Sequence, residues 1–232
     1  MNDYTSGAVL LFDKPYRWTS FDVVNSVRYA IQKNLKIKGL KVGHAGTLDP
    51  LASGLLIVCT GKETKNIEAY QALEKEYTGT FFLGATTPTC DLESEPGDFR
   101  DISEITPEQI KKVAQSFLGV QQQVPPVFSA IKVDGKRAYE YARKNHEVNI
   151  TPKTITIDAF EITRIELPEV DFRVVCSKGT YIRALARDFG EKLGCGAYLK
   201  ALRRTRIGRY RVEDALDVIA FKENIKASTP ND

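Results

Sequence analysis

The stretch VGHAGTLDPLASGLLIVCTG, residues 42–61, constrains this chain more than any other. Its apolar run from Leu55 to Cys59 has the pattern of a buried strand. Ahead of that run, Gly43, Gly46 and Gly54 surround one histidine, His44, and one carboxylate, Asp49. Glycine lets the backbone approach a ligand closely or take positive φ. Pro50 biases Asp49 toward an extended conformation. The stretch therefore presents a single carboxylate on a stiffened loop, just before a core strand anchors the chain. On local chemistry alone the more ordinary outcome is a structural turn with Asp49 as its cap, because isolated turns of this composition are common.

The remaining composition narrows the classes of function. A chain of 232 residues, 42% apolar, can build one large domain or two small ones with a substantial core. No apolar run approaches a bilayer span, so no membrane association is expected. The N-terminal MNDYTSG lacks the pattern of a secretory signal. Cys59, Cys90, Cys176 and Cys195 have no paired spacing for zinc, and His44 and His146 are the only histidines. A metal-centred enzyme is thereby disfavoured, and reduced thiols in a cytoplasm are the simplest reading.

The net charge is only +3, but it is unevenly placed. Residues 23–41 carry five basic side chains and no acid, and residues 173–211 carry eleven against Asp188 and Glu191. The rest of the chain is therefore acidic, much of it within residues 91–108. A solvated surface is the usual meaning of a charge run. Five arginines between Arg203 and Arg211, interleaved with Tyr210, tilt the reading toward a polyanion-binding face.

Periodicity gives an α+β chain. Strands are expected at 8–13, 55–59, 77–83, 127–133, 153–166, 170–177 and 207–212. Helices are expected from a capping box at Thr19 with a stripe of Val23, Val24, Val27 and Ile31, and from a second box at Thr106 running to Leu118 with Gly119 as its stop. Further helices are expected at 63–73, 137–144, 180–193 (closed by Gly194), 197–204 and 213–220, with a turn at Asp134-Gly135. Residues 84–105 read as a long acidic loop and a poor direct contact for RNA. The end of the chain, from Lys222, is expected to fray.

The segment GHAGTLDPLASG resembles the signature loop of the TruB family of tRNA pseudouridine synthases. The likeness extends in order through Asp13-Lys14-Pro15 with Thr19-Ser20, Lys75-Glu76-Tyr77, Cys176 to Arg183 (CSKGTYIR), and Leu202-Arg203-Arg204. It covers roughly residues 7–212. The resemblance implies the pseudouridine synthase fold, α+β, a long and mainly antiparallel sheet with flanking helices around a central cleft. It implies a catalytic domain over 1–212, then a short helix and tail over 213–232 with no additional RNA-binding domain of the PUA type.

The implied reaction isomerises uridine to pseudouridine at position 55 in the T-arm loop of tRNA. It needs no cofactor and no metal. By resemblance Asp49 is the catalytic carboxylate, acting as nucleophile or as base, and Arg183 is the arginine that pairs with it. Tyr77 matches the tyrosine that packs on the flipped-out uracil and assists proton transfer. Tyr181 matches a second pocket tyrosine, Leu202 an apolar wall and His44 a substrate contact. Lys14 with Pro15 supports the signature loop. The implied partner is the tRNA T-arm stem-loop, bound by a cytoplasmic monomer that requires no protein partner. Two other readings stay open: a non-catalytic RNA-binding protein on the same fold, tested by the Arg203/Arg204 pair, and the same chemistry on another RNA with a similar loop.

Overall fold

The computed structural model describes residues 3–129, 132–133, 136–137 and 150–227. In chain order these form β1 (Val9–Lys14), α1 (Ser20–Asn34), β2 (Val42–Ala45), β3 (Ala52–Thr60), a 3-10 turn (Gly61–Asn66), α2 (Ile67–Ala72) and β4 (Lys75–Leu83). Then come α3 (Pro107–Gln115), β5 (Gly119–Gln123), β6 (Lys132–Val133), β7 (Lys136–Arg137), β8 (Lys153–Glu166) and β9 (Glu169–Cys176). The chain finishes with α4 (Ile182–Leu193), β10 (Ala197–Ile207), β11 (Tyr210–Arg211), a 3-10 turn (Val212–Asp214), β12 (Leu216–Asp217) and α5 (Val218–Ala227). It divides into two compact units, Met1–Tyr77 with Arg203–Asp232, and Thr78–Leu202.

In the first unit the strand order is β12-β1-β3-β10, with β2 on β3 and β11 on β10. β1 runs antiparallel to β3 and parallel to β12. One face of β3, through Leu56 and Val58, packs with Leu10 and Phe12 under Val23, Val24, Val27 and Ile31 of α1 and Val218, Phe221 and Ile225 of α5. The other face, Leu55, Ile57 and Cys59, packs with Ala45, Ile207 and Val212. Both faces are covered, which is why this strand reads as an unbroken apolar run rather than an alternating one. Each fully buried Leu or Ile here contributes about 1.5–3 kcal/mol. Asp13 pairs with Leu55 and Lys14 with Gly54, so the end of β1 lies beside the chain that has just left the Asp49 loop. α1 begins with the expected capping box, Thr19 and Asp22 satisfying each other's backbone N–H groups.

In the second unit the order is β10-β4-β9-β8-β5. The expected long pair is the β8–β9 hairpin, antiparallel from Ile157/Cys176 to Glu166/Glu169. Phe81, Phe117, Phe160, Phe172 and Phe189 form one aromatic cluster, with Phe81 and Phe172 stacked at 4.1 Å. Phe189 brings α4 into this core, and Gly190 lets it close on β10: a Cβ there would lie 2.1 Å from the Ala197 nitrogen.

Several local expectations need correction. Residues 197–204 form a strand, not a helix, because β10 takes its place in the sheet between β3 and β4, and tertiary pairing overrides helix propensity. Its far end turns back in a hairpin with β11, through Arg206/Arg211 and Ile207/Tyr210. That hairpin also splits the strand expected at 207–212. α3 ends at Gln115, and Gly119, at φ +89, instead opens β5. The helix expected at 213–220 is displaced: α5 starts at Val218, where the Asp217 carboxylate accepts from the Ile219 and Ala220 N–H groups, both at 2.8 Å. It continues to Ala227 and contributes core residues rather than fraying. Residues 127–129 are irregular, and β6 is the strand part of the 127–133 expectation. The turn at 134–135 and nearly all of the 137–144 helix lie outside the described residues; Arg137 ends β7.

Residues 84–105 hold no helix, as expected, but they are anchored. Thr87, Thr89, Cys90 and Asp91 are buried, and the loop bridges at Thr86/Gly97 and Asp91/Leu199. Among the described residues, no helix is long and apolar enough to cross a membrane.

Candidate active site

The first unit holds His44, Asp49 and Tyr77 of the predicted site residues, and the second holds Tyr181, Arg183 and Leu202. In the first unit the loop between β2 and β3 is tied at Gly46, Leu48, Asp49 and Pro50. The Ser20 hydroxyl, buried at the start of α1, accepts from the Leu48 N–H at 2.8 Å and donates to the Leu48 carbonyl at 3.1 Å. The Pro50 carbonyl accepts from the Arg17 N–H at 2.8 Å, and the Lys14 Nζ lies 3.5 Å from it. The Asp49 carbonyl accepts from the Ala52 N–H at 3.1 Å. The residues before and after Asp49 are thus fixed by side chains and backbone from β1, α1 and the turn between them. Asp49 itself is half-buried.

Two buried cations lie under this loop. Lys14 is fully buried, and its ammonium also donates to the Pro15 carbonyl at 3.0 Å and to the Trp18 carbonyl. Burial pushes its pKa down to about 8; the Asp49 carboxylate opposes that shift, and the Arg204 guanidinium adds to it. Arg204, only 1% exposed, donates Nε–H to the Leu55 carbonyl at 2.7 Å and an NH2 proton to the Gly46 carbonyl at 3.0 Å. It clasps both ends of the loop. Gly54 makes this possible: at φ +105, a Cβ there would sit 2.3 Å from the Arg204 carbonyl oxygen.

His44 pairs with Val58 in the β2–β3 ladder. Burial, then the Arg204 charge, lowers its pKa, so the imidazole is neutral at pH 7. Its buried Nδ1 has no hydrogen-bond partner among the described residues. A backbone hydrogen bond with Gly46 opposes the downward shift in pKa. Tyr77 is buried at 8% exposure.

In the second unit Arg183 is 6% exposed in the first turn of α4. Its Nε lies 3.6 Å from the Asp91 carboxylate, and its terminal nitrogens donate to the Thr89 carbonyl at 3.2 Å and the Phe128 carbonyl at 3.1 Å. The acidic loop therefore reaches this arginine through the buried Asp91 carboxylate and the Thr89 carbonyl, a role its composition did not suggest. Tyr181, at the α4 N-cap, has its backbone held by the Gln123 side-chain amide. Oε1 accepts from the Tyr181 N–H at 2.8 Å, and Nε2 donates to the Tyr181 carbonyl at 3.1 Å. Gln123 was invisible in the sequence; its only signal is a glutamine facing inward from a strand, next to Pro125-Pro126. Leu202 is half-buried on β10.

The arginine tract is not the uniform cationic face that its composition suggested. Arg204 is internal. Arg203 grips Asp13 bidentately at 3.0 and 2.6 Å, and Arg206 pairs with Glu74 at 2.5 Å. Arg209 and Arg211 remain exposed. A double substitution of Arg203 and Arg204 would therefore disturb folding before RNA binding. The four cysteines are buried, and burial raises the Cys59 thiol to about 11, which fits a packing role. Among the described residues, no group of three or more His, Cys, Asp or Glu could hold a metal ion.

The chain is similar to known proteins along nearly its whole length. Residues 32–182 match the model of the TruB family pseudouridylate synthase N-terminal domain, and 183–229 match that of the tRNA pseudouridylate synthase B C-terminal domain. The chain is 56% identical over 221 residues to the tRNA pseudouridine synthase B of Phocaeicola vulgatus, covering 95% of this chain and 94% of that one. It is 52% identical over 225 residues to the protein of the same name in Flavobacterium johnsoniae, covering 97% and 98%. Among solved structures it resembles a chain of a Cbf5-Nop10-Gar1 complex, with TM-score 0.70 and 31% identity, over 95% of this chain and 54% of that one. It also resembles a chain of an H/ACA RNP bound to a substrate RNA containing 2′-deoxyuridine, with TM-score 0.67 and 28% identity, over 95% and 54%. This chain thus spans about half the length of those structural relatives. With sequence matches along nearly its whole length and a shared mixed α+β fold, the chain belongs to the TruB family of pseudouridylate synthases.

Proposed function

We propose that this chain isomerises uridine to pseudouridine at position 55 in the T-arm loop of tRNA, with Asp49 as the catalytic carboxylate. A member of this family is a tRNA-directed isomerase; the position and the residue are the finer reading. The observation that carries it is the Asp49 loop itself. A single carboxylate stands between two backbone positions, Leu48 and Pro50, that are tied from three directions, with buried Lys14 close enough to feel its charge. That is the preorganisation a reacting group needs.

The chemistry is balanced without a cofactor. The N1–C1′ bond breaks, the base turns, and a C5–C1′ bond forms; one proton leaves C5 and one is taken up at N1. An ionised Asp49 attacks as nucleophile or abstracts as base. By the family resemblance, Arg183 is the arginine that serves this carboxylate. The base must leave its stack at a cost of a few kcal/mol, and stacking on Tyr77 returns roughly 1–3 kcal/mol. Tyr181 and Leu202 complete the pocket, and neutral His44 contacts the flipped region. The enzyme acts as a cytoplasmic monomer on the T-arm stem-loop. Mapping pseudouridines in total RNA from cells with and without the gene tests this reading. A site lost at tRNA position 55 supports it, and loss only elsewhere reassigns the substrate.

A further inference from the structure

The turn between β1 and α1 carries an unexplained backbone conformation. Arg17 has φ +68, in the left-handed region that glycine occupies without a steric penalty and arginine does not. The conformation is enforced by its N–H, which donates to the Pro50 carbonyl at 2.8 Å. Glycine would make the same bond without strain. The backbone therefore does not call for an arginine here.

That side chain is exposed and, among the described residues, forms no ion pair. Its guanidinium lies 5.6 Å from the centre of the Tyr16 ring. Tyr16 is itself 54% exposed, so its ring face is open to a ligand. The pair cannot drift from Asp49. Arg17 is bonded to Pro50, and Ser20, three residues on, is bonded to both backbone groups of Leu48. The backbone that carries this exposed cation and ring is therefore tied to the residues on both sides of the proposed catalytic carboxylate.

These two groups match the two parts of a nucleotide. A guanidinium suits a phosphate, and a tyrosine face suits an unstacked base. We propose that Tyr16 and Arg17 form a nucleotide-binding rim, Arg17 taking a backbone phosphate and Tyr16 the base of the nucleotide neighbouring the target uridine. The inference rests on the reading that this chain acts on uridine in RNA.

The strain supplies a clean test, because Arg17→Gly deletes the side chain and relieves the backbone together. Its thermal midpoint is expected to equal or exceed that of the parent, which removes misfolding as an explanation. On a T-arm transcript its KM should rise about tenfold, with the loss falling on KM rather than kcat. The slope of log binding constant against log salt should shrink by about one. Arg17→Lys should keep that slope, and Tyr16→Ala should raise KM without altering it. Arg17→Gly with the parent KM and the parent salt slope overturns the rim. Failure of the parent protein to make pseudouridine would overturn the functional reading instead, and the salt slope measured in binding still decides the rim separately.

Discussion

Replacing Ser20 with alanine removes one oxygen atom, and the structure says how much that atom holds. Ser20 is 2% exposed, and its hydroxyl satisfies both the N–H and the carbonyl of Leu48, at 2.8 and 3.1 Å. Alanine leaves two backbone groups without partners in a site that water does not reach. Each unmade bond costs about 1–3 kcal/mol, so Ser20→Ala should lose roughly 2–6 kcal/mol of stability. For a chain of this size that is a drop of roughly 4–24 °C in Tm. The effect on chemistry should exceed the effect on binding, because Leu48 precedes Asp49 and the freed loop no longer presents its carboxylate in one pose. Urea unfolding gives the first quantity and single-turnover tritium release from C5-labelled uridine the second. If Ser20→Ala unfolds within about 0.5 kcal/mol of the parent and turns over at the parent rate, the loop does not depend on this clamp, and the positional argument for Asp49 loses its main support.

Gly54→Ala is expected to be among the most damaging single-methyl changes in the chain, since its Cβ would lie 2.3 Å from the Arg204 carbonyl oxygen at φ +105; a near-normal thermal scan would refute that. Lys14 gives a pH signature. Its folded pKa of about 8 lies below the ordinary 10.5, so between those values the unfolded chain binds more protons, and stability rises with pH. From pH 7.5 to 9.5 the parent should gain about 2 kcal/mol relative to Lys14→Met, measured by urea midpoints at each pH. An unchanged difference would mean that the ammonium is not desolvated.

What the sequence disclosed, and what it hid, follow one division. β3, the Thr19 capping box and the β8–β9 hairpin were legible because their causes are local: an unbroken apolar run, a residue pair three apart, two β-rich segments around Pro168. β10 was misread as helical because Arg203, Arg204 and Arg206 break its alternation, and its partners lie far away in sequence. Arg204 was misread for the same reason. An arginine in a basic tract counts as surface until the carbonyls of Gly46 and Leu55, about 150 residues upstream, are seen to need its protons. The acidic loop hid its one consequential member similarly, since nothing local separates buried Asp91 from its solvated neighbours. Candidate site residues came from the family resemblance rather than from any local pattern. Residues that hold them in place, Ser20 at Leu48, Arg204 at Gly46 and Gln123 at Tyr181, required coordinates.

The most direct test of the account is a single substitution that alters charge and leaves shape alone. Asp49→Asn preserves the loop, its backbone ties and the RNA surface. It should bind T-arm transcript about as tightly as the parent while releasing no tritium from C5 of the target uridine above background. Tritium release by Asp49→Asn at a rate comparable to the parent would show that this carboxylate is not the reacting group.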